Sequence, residues 1–272
     1  MTWRTGKRRV LLTCVLLALF SALLAVGVSE LLLPKGTKNL KKNGDLTVDI
    51  GNASEGYIMA CGKKSGRRMK LRVRYGNDTL TYDLNGGGDY EVFPLQYGSG
   101  EYTVILYQNT SGKRYTEEGR LSFTVKMEDE LRCFLYPNQY VNYDEKTKAV
   151  AEAEKLCAGL TGQREIYDAV VKYIRENFKY DYKKSGTVQP GQLPQIGEAW
   201  DKKMGICQDL AAITVAMLRS RGVPARLMIG YLGNTYHAWV TAVVDGTEQF
   251  FDPTVEIGGA RNGMEYTLER YY

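Results

Sequence analysis

The hydrophobic period of the chain changes once, beyond Met127, and that change decides its fold class. From residue 45 to 127 apolar residues recur at every second position. In MKLRVRY, Met69, Leu71, Val73 and Tyr75 alternate with Lys70, Arg72 and Arg74, the pattern of a strand with one buried face. LTVDIG, YIMAC, LTYDL, YEVFPL, EYTVILYQ and LSFTVKM are similar runs, separated by turn-forming clusters such as Asn-Gly-Gly-Gly and Asn-Thr-Ser-Gly. Strand-sized runs at this spacing predict a small antiparallel β-sandwich of the immunoglobulin-like kind. Beyond it the period lengthens. Residues 145–160 and 163–178 read as helices, the second with Ile166, Val170, Tyr173, Ile174 and Phe178 on one face. The chain is therefore expected to be α+β.

The residues that suggest chemistry lie between 205 and 254. Cys207, in GICQDLA, stands at the mouth of an expected helix over residues 208–221, which Gly222 and Pro224 bring to a stop. A cysteine there meets the positive end of the helix dipole and unpaired backbone N–H groups, which favour thiolate over thiol. His237, the one histidine in the chain, opens HAWVTAVV, an apolar and β-branched run expected to be a strand. Asp245-Gly246 predicts a hairpin turn, after which EQFFDPT pairs back. Residues near the outer ends of adjacent antiparallel strands are cross-strand neighbours, so Asp252 is expected within reach of the imidazole. Each residue has a plainer reading when taken singly: an inert buried thiol, a structural histidine, a turn aspartate. Together, at separations of 30 (237 − 207) and 15 (252 − 237), they favour a Cys207–His237–Asp252 triad.

KMGICQDLAAITVAMLRSRGVPARLMIGY, then YHAWV, then DGTEQFFDPT resemble the core of the transglutaminase-like superfamily, relatives of the papain-like cysteine enzymes. The family pattern has a Gly-x-Cys at a helix start, a Gly-[IV]-Pro-Ala-Arg turn into a strand, a His-Ala-Trp strand and an Asp-Pro-Thr on the next strand. It is matched at Gly205 and Cys207, at Gly222 to Arg226, at His237 to Trp239 and at Asp252 to Thr254. The resemblance covers roughly residues 160–256 and implies a papain/transglutaminase-like core, with the nucleophile helix packed on an antiparallel sheet and Cys207, His237 and Asp252 catalytic. Its motifs specify the fold more than the reaction, because the superfamily includes peptidases, amidases, cross-linking enzymes and inactive members. The expected chemistry is acyl transfer through a thioester, with hydrolysis of a protein or peptide substrate favoured. A protein-glutamine transglutaminase and a non-catalytic binding protein of the same fold are the alternatives. No cofactor is indicated. A metal site is not expected, because the one histidine is already assigned and no CxxC pair exists.

The remaining stretches concern placement. Arg4, Lys7, Arg8 and Arg9 precede residues 10–29, a run without charge and long enough to cross a bilayer at about 1.5 Å per residue. Its length favours a retained signal anchor over a cleaved signal peptide, although Ala25, Gly27 and Ser29 suit a cleavage site. The short basic end before the span predicts a single-pass protein at the cell membrane with its C-terminal portion outside the cytoplasm, or a secreted one if cleaved. The expected organisation is an anchor or signal over residues 1–33, a basic linker over 34–44, the β-sandwich over 45–127 and the catalytic domain over 128–272. Residues 183–197, KKSGTVQPGQLPQIG, read either as a cleft wall or lid or as a plain connector. Trp200 reads either as cleft lining or as core. The net charge of +5 is modest, its basic residues are scattered and no nucleic-acid motif is present, so a nucleic-acid partner is not expected. With Cys14 in the apolar run and Cys207 as nucleophile, Cys61, Cys133 and Cys157 allow at most one disulfide, and the sequence does not select the pair.

Overall fold

Alternating burial builds the first half of the molecule, which a computed structural model describes over residues 31–258 and 265–272. Eight strands form there: β1 (Leu40–Asn43), β2 (Leu46–Asp49), β3 (Tyr57–Gly62), β4 (Met69–Tyr75), β5 (Asp78–Leu84), β6 (Glu91–Pro94), β7 (Gly100–Ser111) and β8 (Arg114–Val125). They pair into two antiparallel sheets, β1-β2-β3-β6 and β5-β4-β7-β8. Leu46, Val48, Ile58 and Ala60 of the first sheet and Leu71, Val73, Val104 and Leu106 of the second are buried in the core between them. The anticipated apolar span, residues 10–29, lies outside the described residues. Among the described residues no helix is long and apolar enough to cross a membrane.

The stretch expected to be a linker is folded. Leu40–Asn43 pairs with β2, and the buried carboxylate of Asp49 accepts hydrogen bonds from the backbone N–H groups of Thr37 (2.7 Å), Lys38 (2.9 Å) and Gly51 (3.1 Å). Burial alone would raise the Asp49 pKa, but these bonds and one from the Thr37 hydroxyl bring it below its ordinary value. The sequence LKKN conceals the strand because β1 is an edge. Lysines there discourage pairing with other chains, and they erase the apolar alternation that reveals a strand.

The second half wraps one helix. In chain order it holds α1 (Lys148–Leu156), α2 (Gln163–Asn177), β9 (Lys179–Tyr180), α3 (Tyr182–Ser185), α4 (Ile196–Lys202), β10 (Met204–Gly205) and α5 (Cys207–Arg219). Then follow β11 (Ala225–Leu232), β12 (Thr235–Val244), β13 (Thr247–Phe251), α6 (Pro253–Gly258) and β14 (Tyr266–Tyr271). Strands β13-β12-β11-β14 make an antiparallel sheet, and α5 packs on β11 and β12 with α1, α2 and α4 around it. Every residue of α5 from Asp209 to Arg219 is buried, so this helix is apolar all round rather than amphipathic. Each of its Leu, Ile, Val and Met side chains contributes about 1.5–3 kcal/mol by leaving water. The Asp245-Gly246 turn joins β12 to β13 with both residues at positive φ (50° and 76°), the geometry that matches strand twist in a two-residue hairpin. The α+β architecture read from the sequence, a helix against an antiparallel sheet, is the one observed.

The two halves meet around the last strand. Tyr272 stacks on Tyr140 at 3.6 Å and meets Tyr82 of β5 edge-on at 5.7 Å. Beneath them Arg219, at the end of α5, is 1% exposed. Its guanidinium donates to the backbone oxygens of Ala225 (2.8 Å), Tyr136 (2.7 Å) and Tyr272 (2.8 Å). Burial lowers its pKa to about 10, which still leaves it charged at neutral pH. Among the described residues no disulfide forms: Cys61, Cys133, Cys157 and Cys207 are all free.

Candidate active site

Cys207 is the first residue of α5, so its helix start must be stable without a side-chain cap from Ile206. Asp209 does that work from inside the first turn. Its Oδ2 accepts from the Ile206 N–H (3.1 Å) and from Lys184 Nζ (2.7 Å), and its Oδ1 accepts from the Gln195 N–H (2.8 Å). The carboxylate is fully buried and Lys184 partly so, at 16% exposed. One acid thus ties the first turn of α5, which carries Cys207, to α3 and to the end of the 186–195 loop. Gly205 is required beside it, because a Cβ there would come within 2.9 Å of the Asp209 Cβ and 3.1 Å of the Ala199 Cβ. This physical need underlies the Gly-x-Cys spacing. Asp209 went unread in the sequence, where it looks like any acid in a first helical turn; the signal available was an acid placed two residues after the cysteine.

His237 enters from β12 and is 4% exposed. Its Nε2 lies 2.7 Å from Asp252 Oδ2, and the ring also hydrogen-bonds Cys207. With Nε2 engaged by the carboxylate, Nδ1 is the nitrogen left for the sulfur. Asp252 is not on the strand, as the sequence suggested, but one residue beyond β13, at the start of α6. It caps that helix: Oδ1 accepts from the N–H groups of Thr254 (2.9 Å) and Val255 (3.1 Å), with Pro253 at the first helical position, where its missing N–H is not needed. Tyr266 of β14 donates its hydroxyl to Oδ2 at 2.7 Å. The structure therefore brings all three sequence candidates together, and adds Tyr266.

The electrostatics follow from this packing. Burial pulls the His237 pKa down, but the hydrogen bonds to Asp252 and Cys207 and the charges on both outweigh it and lift the pKa to about 9. Burial pushes Asp252 up, while the bonds from His237, Tyr266 and Val255 bring it below its ordinary value. An imidazolium paired with a carboxylate is the neutral-pH state.

The cleft beside Cys207 and His237 is small, about 60 Å³, and is lined also by Tyr140, Gln192, Tyr236 and Arg270. Gly191 and Gln192 come from the 183–197 segment, so that segment supplies a cleft wall. Gln208 Nε2 donates to the Gln192 backbone oxygen (3.0 Å), tying the wall to the residue after Cys207. Trp200 is core: it stacks on Tyr173 at 5.9 Å, carries Lys203 Nζ 3.3 Å from its ring centroid and does not line this cleft.

Residues 150–253 match the model of the transglutaminase-like superfamily. An uncharacterized protein of Mycobacterium leprae is 29% identical over 135 residues, which are 45% of this chain and 45% of that protein; the chain thus spans less than half the length of the curated relative it matches. Among solved structures, a candidate cysteine protease from Cytophaga hutchinsonii covers 75% of this chain and 71% of its own at 16% identity, with a TM-score of 0.42. The periplasmic domain of TgpA from Pseudomonas aeruginosa covers 80% and 73% at 16% identity and a TM-score of 0.37. Red sea bream transglutaminase covers 77% and 49% at 13% identity and a TM-score of 0.32.

Proposed function

We propose, from the match of residues 150–253 to the transglutaminase-like superfamily, that the protein is a cysteine-dependent acyl-transfer enzyme that hydrolyses carboxamide or peptide bonds. The observation that carries this reading is the chain of contacts Cys207–His237–Asp252 opening on the cleft. The Cys207 sulfur, its proton held by His237, attacks the carboxamide carbon and forms a C–S bond. The first-turn N–H groups of α5, which lack partners within the helix, face the oxyanion as it develops. His237 then returns its proton to the nitrogen, the C–N bond breaks and the amine leaves. Water adds to the thioester and releases a carboxylic acid and the thiol. Hydrolysis is the reading we favour because Cys207 is only half-buried at the cleft, within reach of a water molecule. The uncharged run at residues 10–29 favours a membrane-tethered enzyme acting on proteins or peptides outside the cytoplasm.

The test incubates the full chain with a glutamine-rich protein, with and without a fluorescent primary amine. New amino termini or released ammonia, absent with Cys207→Ala, support hydrolysis. Covalent incorporation of the amine assigns a cross-linking enzyme instead. An unmodified substrate together with a Cys207 that no alkylating reagent reaches would leave a binding protein of the same fold.

A further inference from the structure

Strand β14 carries one residue too many for its partner. Between Leu232 and Gly230 it pairs with β11 in simple register: Leu232 with Tyr266, Tyr231 with Thr267 and Gly230 with Leu268. Continued unchanged, that register would set Glu269 opposite Ile229. A bulge intervenes, and the residue opposite Ile229 is Arg270. Ile229 in turn pairs with Ala238 of β12. Arg270, Ile229 and Ala238 thus form one row across three strands, and all three line the cleft that holds Cys207. The bulge replaces a carboxylate with a guanidinium in that row. Gly230 permits it, since a Cβ there would lie 2.0 Å from the Thr267 backbone oxygen.

Among the described residues lining this cleft, Arg270 is the one charged side chain besides His237, whose charge is paired with Asp252. Arg270 is held in place by three partners, the side chains of Tyr236, Tyr272 and Glu269. Its Nη2 donates to the Tyr236 hydroxyl, and its guanidinium sits 6.0 Å from that ring's centroid. Its Nη1 pairs with Glu269, its own chain neighbour; both side chains are about a third to a half exposed (31% and 44%), so the pair is a weak one that an incoming carboxylate can exchange. A planar fork held by an aromatic hydroxyl and facing a cleft is suited to two-point recognition of a carboxylate.

On the footing of the proposed acyl-transfer reaction, we infer that Arg270 is a specificity residue and that the acyl donor is an acidic peptide, with a carboxylate close to the carboxamide that Cys207 attacks. The bulge in β14 sets the sign of charge that the cleft accepts.

The test needs no natural substrate. Alkylation of Cys207 in the full chain is followed with iodoacetate and with iodoacetamide, which differ in one negative charge, and the modified cysteine is located by peptide mapping. The ratio of the two rates removes the attraction of His237, which every variant shares. Arg270→Gln is expected to lower the iodoacetate-to-iodoacetamide ratio about fivefold or more, Arg270→Lys to keep most of it, and Glu269→Gln to raise it about twofold by freeing the guanidinium. A ratio unchanged in Arg270→Gln, with Cys207 still reactive, overturns the inference and leaves the proposed reaction standing. If Arg270→Gln fails to fold, an unchanged ratio in Glu269→Gln overturns it equally. A Cys207 inert to both reagents removes the nucleophile, and the reaction and the inference fall together.

Discussion

A histidine that is 4% exposed normally loses its charge, and His237 keeps it because Asp252 and Cys207 replace the water. The consequence for stability has a definite sign. The folded-state pKa of about 9 lies above the ordinary value of 6.5, so the imidazolium's contribution is complete below about pH 6.5 and fades as pH rises through 9. Asp252 shifts the other way: its contribution is complete above its ordinary 3.8 and is lost as pH falls through its lowered folded value. Thermal melting followed from pH 4 to 10 should therefore show a Tm plateau from weakly acidic to neutral pH and a decline above it. In Asp252→Asn the alkaline decline should move to lower pH; an unmoved decline would show that the carboxylate does not hold the imidazolium. The same variant preserves a cap oxygen for α6 but removes the charge, and turnover of any amide the enzyme accepts should fall 10²-fold or more at pH 7. Because Tyr266 also bonds Oδ2, Tyr266→Phe should give a smaller loss in the same direction.

At the level of elements, the bulge in β14 and the loop tied to Asp209 govern the shape of the cleft. Gly230→Ala places a methyl group 2.0 Å from the Thr267 oxygen, a contact that only movement of backbone can relieve. A cost of about 1–3 kcal/mol is expected from overpacking of this kind, read as a lower urea midpoint, with Arg270 displaced from the cleft. An unchanged midpoint would mean that the strand slides freely at that point. These elements differ in how plainly the sequence announces them. The sandwich strands are legible from alternation because each has one buried face, as MKLRVRY shows by matching β4 end to end. The edge strand LKKN is not legible, because solvent on one side removes the pattern. Cys207, His237 and the Asp-Pro-Thr turn were readable because each stands beside a local signal, a helix start, a β-branched run or a hairpin end. Arg270 was hidden in YTLERY, where simple alternation assigns Glu269 to the wrong row; a bulge depends on the partner strand and leaves no local signature. Asp209 was hidden for a related reason: its partners Lys184 and Gln195 reach it only through the fold.

In the molecule as a whole, Arg219 stands where α5, the 132–136 turn and the chain's final strand converge. Replacing it with Met would take a donor from three buried carbonyl oxygens, of which that of Tyr272 keeps the Leu227 N–H. At about 1–3 kcal/mol for each unsatisfied group, before relaxation, Arg219→Met should lower the denaturation midpoint far more than a surface Arg substitution, and Arg219→Lys should restore little, since one ammonium cannot reproduce the three-way fork. A midpoint within error of the parent would show that the carbonyls find other donors. The arrangement of β14 has a consequence in time as well as in space. It is the last-synthesised of the described elements, yet it enters the sheet beside β11, far earlier in the chain, and it brings both the hydroxyl on Asp252 and the guanidinium in the cleft. A nascent chain that has emerged only as far as α6 holds the hairpin with His237 and Asp252 but not the cleft wall that Arg270 completes. On the proposed acyl-transfer reading, the three candidate catalytic residues thus precede β14 in synthesis, and the groups that support Asp252 and place a cation in the cleft arrive last among the described elements.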